Sequence, residues 1–421
     1  MSLPPRPLSG VFTPPGDKSI SHRVGLFALL AGGSCRVENY SPCADCQSTL
    51  EALTALGGRP ETRDGVLVLQ GREGRLKPRA AVDCGNSGTT FRLLMGVLAG
   101  REGEYSLTGD ASLCRRPMER VATPLRLMGA RVVTSEGRPP VIIQGGALKG
   151  VDYALPVASA QLKSALLLAG LQAQGPTTVH EPAPSRDHSE RLLALCGAAI
   201  SRGAGWVRVE ASALTLPPEL RVPGDASSAA FFLAAAAITP GSRVTAEGVL
   251  LNPTRTGFLT VLERMGARMT VSQQGTEPEE WGRVEAERAP GLVATEVAAA
   301  EVPLLVDEVP ILALVATQAR GVTVFHGVEE LRIKETDRLE AISSQLGAMG
   351  ARLWTEGDRL LVEGPTPLHA PEGLESFGDH RIAMTLRLAL GLAGGDCPIR
   401  EEDCAAISYP AFAADLGKLL A

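Results

Sequence analysis

Aromatic residues are scarce, with three Trp, four Tyr and nine Phe making up 4% of 421 residues. Bases stack on such side chains, and a net charge of -6 gives no bulk attraction for a polyanion, so no nucleic-acid partner is expected. Long apolar runs are missing too. The nearest, Ala226 to Ile238, falls short of the roughly eighteen residues that span a bilayer, and its alanine content suits a buried helix. The opening stretch, Met1 to Gly10, is proline-rich and lacks the apolar core of a secretory signal, so a cytoplasmic protein without a membrane partner is expected. Among eight scattered cysteines only Cys43-Ala44-Asp45-Cys46 has the spacing of a zinc or redox pair, and no second pair completes it. Reduced thiols are expected, with no metal and no disulfide.

What is present is an ordinary globular composition, 44% apolar and 21% charged, on a chain long enough for two or three domains. Five segments resemble one another, beginning at Leu53, Leu125, Leu192, Leu262 and Leu346. In each, leucines at helical spacing run into a glycine (Gly58, Gly129, Gly197, Gly266, Gly350) and alternating residues follow, which reads as helix, glycine cap and strand. In four of them a polar or Gly-containing turn leads to a second strand, and another strand and helix lie upstream, as in Ala81 to Cys84 and then Thr90 to Leu98. The period of roughly 70 residues is too long for a solenoid and suits a small α/β unit. Six βαβαββ-like units in two threes account for the length, with Leu416 to Ala421 as a shortened last copy. The join is placed at Val222-Pro223-Gly224-Asp225, giving one domain over 15–223 and a second over 1–14 plus 224–421, hinged around a cleft.

The chemistry gathers at loop-to-helix junctions. Gly16-Asp17-Lys18-Ser19-Ile20-Ser21-His22-Arg23 follows Pro14-Pro15 and opens a helix expected to end near Gly32-Gly33, with Asp17 or Ser19 as cap. Its N-terminus, with Lys18, Ser19 and Arg23 close by, suits an anion. It is not a nucleotide-triphosphate P-loop, because Asp17 separates Gly16 from Lys18. Similar junctions are Gly85 to Arg92, Asp110 to Arg120, Ser159 to Ser164, Ser185 to His188, Arg332 to Arg338 and Asp379 to Arg381. Each alone also reads as a helix cap or a solvated basic end. Asp307-Glu308 places two carboxylates in an apolar stretch, so one of them works or is salt-bridged. Together these junctions describe a site for a multiply anionic substrate, with carboxylates available for proton transfer.

These motifs, in this order, resemble the 5-enolpyruvylshikimate-3-phosphate synthases over essentially the full length. The matching pieces are Gly16 to Arg23, Gly85 to Gly88, Arg116-Pro117-Met118, Ser159-Ala160-Gln161, Asn252 to Gly257, Asp307-Glu308, Lys334 to Leu339 and Asp379-His380-Arg381. The resemblance implies two domains, each of three βαβαββ units in an inside-out α/β barrel, that close around the substrates. It implies transfer of the enolpyruvyl group of phosphoenolpyruvate to the 5-hydroxyl of shikimate 3-phosphate, without a cofactor, by a monomer. By this likeness Asp307 is the base at the hydroxyl, Glu335 handles the methyl protons, and Lys18 lies near both substrates. Shikimate 3-phosphate would be held by Lys18, Ser19, Arg23, Ser159, Ala160, Gln161, Arg186, Asp307 and Lys334. Phosphoenolpyruvate would be held by Lys18, Gly88, Arg116, Gln161, Glu335, Arg338 and Arg381, the arginines gripping carboxylate and phosphate in bidentate fashion.

Two positions depart from many members of that family: Ile407 stands where a Lys precedes the aromatic-Pro, and Ala160 replaces the second Ser of a Ser-Ser-Gln. With Arg186-Asp187-His188 they resemble the subgroup that includes glyphosate-insensitive members, yet Gly88 stands where some of those have Ala. Intermediate or ordinary glyphosate sensitivity is therefore expected. The alternative is the sister UDP-N-acetylglucosamine enolpyruvyl transferase, whose Cys lies a few residues before an Arg-Pro; Cys114 is too near Arg116-Pro117 by about one helical turn.

Overall fold

A computed structural model describes residues 6–420, so Met1 to Pro5 of the N-terminal segment and the closing Ala421 lie outside the described residues. The chain forms two compact units, one of Gly16–Val222 and one of Met1–Pro15 with Pro223–Ala421.

One sheet pattern recurs in both. In the Gly16–Val222 unit, strands Arg79–Asp83, Gly103–Thr108, Arg138–Gly145 and Arg131–Ser135 lie side by side in that order. The first two run parallel and the last two close an antiparallel hairpin. Asp152–Ala154, Thr177–His180, Trp206–Val209 and Ile200–Gly203 repeat it, as do Glu219–Arg221, Ser34–Glu38, Val66–Gln70 and Glu61–Arg63. The other unit carries it twice, in Ser9–Phe12, Arg243–Leu250, Trp281–Glu287 and Arg268–Gly275, and in Glu296–Val297, Gly321–Phe325, Arg359–Gly364 and Arg352–Glu356. Its third copy is reduced to the parallel pair Leu374–Glu375 and Ile399–Arg400. The chain then ends in the helix Phe412–Leu419 instead of a hairpin.

One set of helices forms the interior, while others, such as Glu119–Leu127 and Gly257–Arg264, are buried on one face only. Ala226–Ile238 and Val309–Ala316 are buried at every residue, as expected of helices apolar all round. Ala226–Ile238, Val309–Ala316 and His380–Ala393 pack on one another, and Gly88–Ala99 packs on both Lys18–Phe27 and Ala160–Gly170. A Cβ at Gly96 would collide with the Ala165 carbonyl, so the contact between Gly88–Ala99 and Ala160–Gly170 needs glycine there.

Two expectations are corrected. The first helix ends at Phe27, not near Gly32. Ala28, Leu29 and Leu30 donate to carbonyls three residues back, which tightens the chain and frees Gly32 to donate to the Leu214 carbonyl at 2.8 Å. In the first repeat the left-handed cap is Gly57, at φ +97°, in register with Gly129, Gly197, Gly266 and Gly350. Gly58 follows it and donates to the Leu53 carbonyl at 2.7 Å, completing a Schellman end.

An aromatic cluster fastens both chain ends into the second unit. Phe232 lies 5.1 Å from Phe12 of the N-terminal strand and stacks at 5.1 Å on Phe412, while the Tyr409 hydroxyl donates to Asp415 at 2.9 Å. Phe232→Ala is expected to cost about 3–5 kcal/mol, read as a lower urea midpoint for the unit that holds it. An unchanged midpoint would contradict this account of the core.

Candidate active site

Each unit gathers its own share of the residues singled out in the sequence. Lys18, Ser19, Arg23, Gly88, Arg116, Ser159, Ala160, Gln161 and Arg186 belong to the Gly16–Val222 unit, and Asp307, Lys334, Glu335, Arg338 and Arg381 to the other.

In the Gly16–Val222 unit the residues sit where inner helices begin. Asp17 caps Lys18–Phe27 by accepting from the Ile20 N–H at 2.8 Å, Ser87 caps Gly88–Ala99, and Ser159 caps Ala160–Gly170. These ends carry positive dipole charge and cations stand beside them. The Lys18 ammonium donates to Asp45 Oδ2 at 2.9 Å. Arg23 is almost wholly buried and donates to Ser189 Oγ at 2.7 Å, Ser164 Oγ at 2.9 Å and the Ser19 carbonyl at 3.0 Å, contacts that aim its guanidinium. Gln161 accepts from Arg92 at 2.6 Å and donates to Thr89 Oγ1 at 2.9 Å; Arg116 donates to Asn86 Oδ1 at 2.9 Å. A Cβ on Gly88 would lie 3.1 Å from Arg92 Nη1 and 3.3 Å from Arg116 Nη1. Arg186 is half-buried on a loop pinned on both sides, with Ser185 donating to Glu181 and Asp187 accepting from Arg191 at 2.8 Å. Glu181 is in turn bound by the buried Lys163 at 2.8 Å.

In the other unit the centre is Arg338, 2% exposed at the start of Arg338–Ala348. Its Nε meets Asp379 Oδ2 at 2.7 Å, Nη2 meets Glu335 Oε2 at 2.7 Å and Nη1 meets Asp307 Oδ1 at 3.3 Å. Burial works against its charge, yet Asp379, Glu335 and Asp307 together raise its pKa above the ordinary arginine value. Arg381 lies beside it, donating to the Asp307 carbonyl at 3.2 Å and standing 3.9 Å from Glu308 Oε1. Asp379, fully buried, also caps His380–Ala393. Lys334 follows the turn Glu329–Ile333 and is half-buried.

The two adjacent carboxylates of the sequence thus divide: Glu308 is buried against Ser227, and Asp307 is the more open of the pair, with 15% of its side chain exposed. Asp45 and Arg92 were not singled out as site residues. Arg92 had a legible signal, being the one charged residue in an otherwise apolar helix; Asp45 had none, since its partner Lys18 is 27 residues away. All eight cysteines are free; Cys43 precedes the helix Ala44–Ala55 and Cys46 Sγ lies 3.6 Å from the Lys18 carbonyl. Ile407 closes the turn Glu402–Ile407, half-buried.

Repeated sheet-and-helix copies around buried helices make a fold that this chain shares with solved enolpyruvyl-transferase structures. An enolpyruvyl transferase of Streptomyces tendae, NikO, shares that fold at a TM-score of 0.79 and 20% identity, over 99% of this chain and 96% of its own. The chain belongs to the EPSP synthase (3-phosphoshikimate 1-carboxyvinyltransferase) family, whose model matches residues 3–416. It is 43% identical over 419 residues to the 3-phosphoshikimate 1-carboxyvinyltransferase of Bacillus subtilis, covering 98% of this chain and 97% of that one. To the same enzyme of Geobacillus kaustophilus it is 44% identical over 420 residues, covering 98% of each. The EPSP synthase structure from Acinetobacter baumannii matches with a TM-score of 0.87 and 40% identity, over 99% of this chain and 97% of that one.

Arg338→Met strands the fully buried Asp379 beside two further carboxylates, and is expected to cost about 3–5 kcal/mol in denaturant unfolding. Wild-type stability in that variant would mean the cluster is not held by Arg338.

Proposed function

We propose that the protein transfers the enolpyruvyl group of phosphoenolpyruvate to the 5-hydroxyl of shikimate 3-phosphate, releasing phosphate, in the shikimate route to chorismate and the aromatic amino acids. The family match over residues 3–416 carries this reading. Both substrates are anionic, which the helix ends beside Lys18, Arg23 and Arg116 suit. Lys18, Ser19, Arg23, Ser159, the Ala160 backbone, Gln161, Arg186, Asp307 and Lys334 hold shikimate 3-phosphate. Lys18, Gly88, Arg116, Gln161, Glu335, Arg338 and Arg381 hold phosphoenolpyruvate, whose carboxylate and phosphate match planar guanidinium groups.

In the addition step C3 of phosphoenolpyruvate gains a proton while the 5-hydroxyl loses one and its oxygen bonds to C2. In the elimination step the C2–O bond to phosphate breaks and C3 gives a proton back. Asp307 takes the hydroxyl proton, and Glu335 handles the protons at C3, with Lys18 near both substrates. The 2.7 Å and 3.3 Å contacts of Arg338 fix both carboxylates within one unit, and such fixed geometry is what general acid-base catalysis requires. The protein works in the cytoplasm as a monomer; no helix among the described residues is long and apolar enough to cross a membrane.

Phosphate release measured with each substrate alone and then both is expected only with both. Release with a UDP-amino sugar in place of shikimate 3-phosphate would overturn the choice of acceptor. Asp307→Asn and Glu335→Gln are each expected to lower kcat about 100-fold or more, with each KM changing far less. A kcat within a few-fold of wild type would remove that residue from proton transfer. Gly88→Ala is expected to raise the glyphosate inhibition constant, because the added methyl crowds Arg92 and Arg116. An unchanged constant would sink the steric argument.

A further inference from the structure

His22 lies on the Lys18–Phe27 helix between Lys18 and Arg23, fully buried, and has no part in the chemistry above. Its Nδ1 is 2.6 Å from Thr49 Oγ1 on the helix Ala44–Ala55. Thr49 Oγ1 is 2.6 Å from Thr90 Oγ1 on Gly88–Ala99, and the Thr90 hydroxyl donates to Ser87 Oγ at 2.8 Å. Ser87 caps that helix, also accepting from the Thr90 N–H at 3.1 Å, and Gly88 is the next residue. Thr49, Thr90 and Ser87 are all fully buried. A closed line of hydrogen bonds therefore joins the Lys18 turn to the Gly88 turn.

The line runs in one direction. A hydroxyl has one proton to give. Thr90 spends its proton on Ser87, so toward Thr49 it accepts; Thr49 spends its proton on Thr90, so toward His22 it accepts as well. His22 must then donate from Nδ1. A second ring proton is opposed by burial and by the charges of Lys18 and Arg23, which hold the pKa well below the usual histidine value. Nε2 is accordingly a bare acceptor, and it is buried with no hydrogen-bond partner among the described residues. Arg23 is anchored separately, through Ser164 and Ser189, so its place in the shikimate 3-phosphate site does not hang on this line; Gly88, at the far end of the line, is assigned to phosphoenolpyruvate alone.

We infer that His22 is a positioning residue for the phosphoenolpyruvate side of the site: fixed as the Nδ1–H tautomer, it orders Thr49, Thr90 and Ser87 and so holds the Gly88 turn against the Lys18 turn. The ligand named here rests on the proposed function; the hydrogen-bond line does not. His22→Asn keeps a donor near the place of Nδ1, whereas His22→Gln moves it toward the place of Nε2. Thr90→Val removes the hydroxyl with little change of shape, and Thr90→Ser restores it.

The test uses the full chain. His22→Gln and Thr90→Val are expected to raise KM for phosphoenolpyruvate about tenfold, with KM for shikimate 3-phosphate changed by less than about twofold. His22→Asn and Thr90→Ser are expected to stay within about threefold of wild type in both. Nitrogen NMR of histidine-labelled protein at about pH 7.5 is expected to show, for the signals lost in His22→Asn, a protonated Nδ1 and a bare Nε2. A protonated Nε2, equal behaviour of the Asn and Gln variants, or equal rises in both KM values would overturn the inference. Should the His22 variants fail to fold, the Thr90 pair and the tautomer, read in wild-type protein, decide it. A wild-type protein without turnover would instead overturn the proposed function, and the tautomer would still test the line.

Discussion

A helix buried on all sides cannot hand its first N–H groups to water, and this constraint organises the molecule. The fold places helices in the interior of both units, so their N-termini need partners built from the chain itself. Asp17, Ser87, Ser159, Asp225 and Asp379 meet that need by side-chain capping. These caps accept from one or two N–H groups per helix and leave the dipole end in place. Several of the residues proposed to bind the substrates lie at those ends, where a buried helix presents its positive dipole end.

The two units handle charge differently. In the Gly16–Val222 unit hydroxyls and a carbonyl accept from Arg23 and aim its guanidinium. In the other unit Arg338 is saturated by three carboxylates, one of which also caps a helix. The first arrangement suits gripping an anionic ligand. The second suits holding carboxylates at fixed separation, with the neighbouring Arg381 left facing Asp307 and Glu308.

Much of this could be read from the chain. The recurring leucine-glycine-strand pattern is visible because a helix buried on one face, its glycine end and a hairpin each impose their own spacing. The site motifs are visible because caps and cations must sit within a turn of each helix start. Other features are set by contacts between distant segments and leave no local trace. Lys18 finds Asp45 across 27 residues, and the line from His22 crosses three helices. The early end of the first helix depends on Leu214, far along the chain. The Gly57-Gly58 pair was ambiguous locally, since either could take a positive φ, and only the Schellman geometry separates them.

The placement of the edge strands has a consequence for the order of synthesis. Strand Ser9–Phe12, made first, pairs with Arg243–Leu250, while Glu219–Arg221, made just before the second crossing, pairs back with Ser34–Glu38. The Gly16–Val222 unit can therefore close as soon as its own last strand leaves the ribosome. The opening strand must wait, unpaired, for more than half the chain to follow it. Neither half of a chain cut between Val222 and Pro223 would be whole: the leading fragment would carry a strand with no sheet to join, and the trailing one a sheet with an open edge.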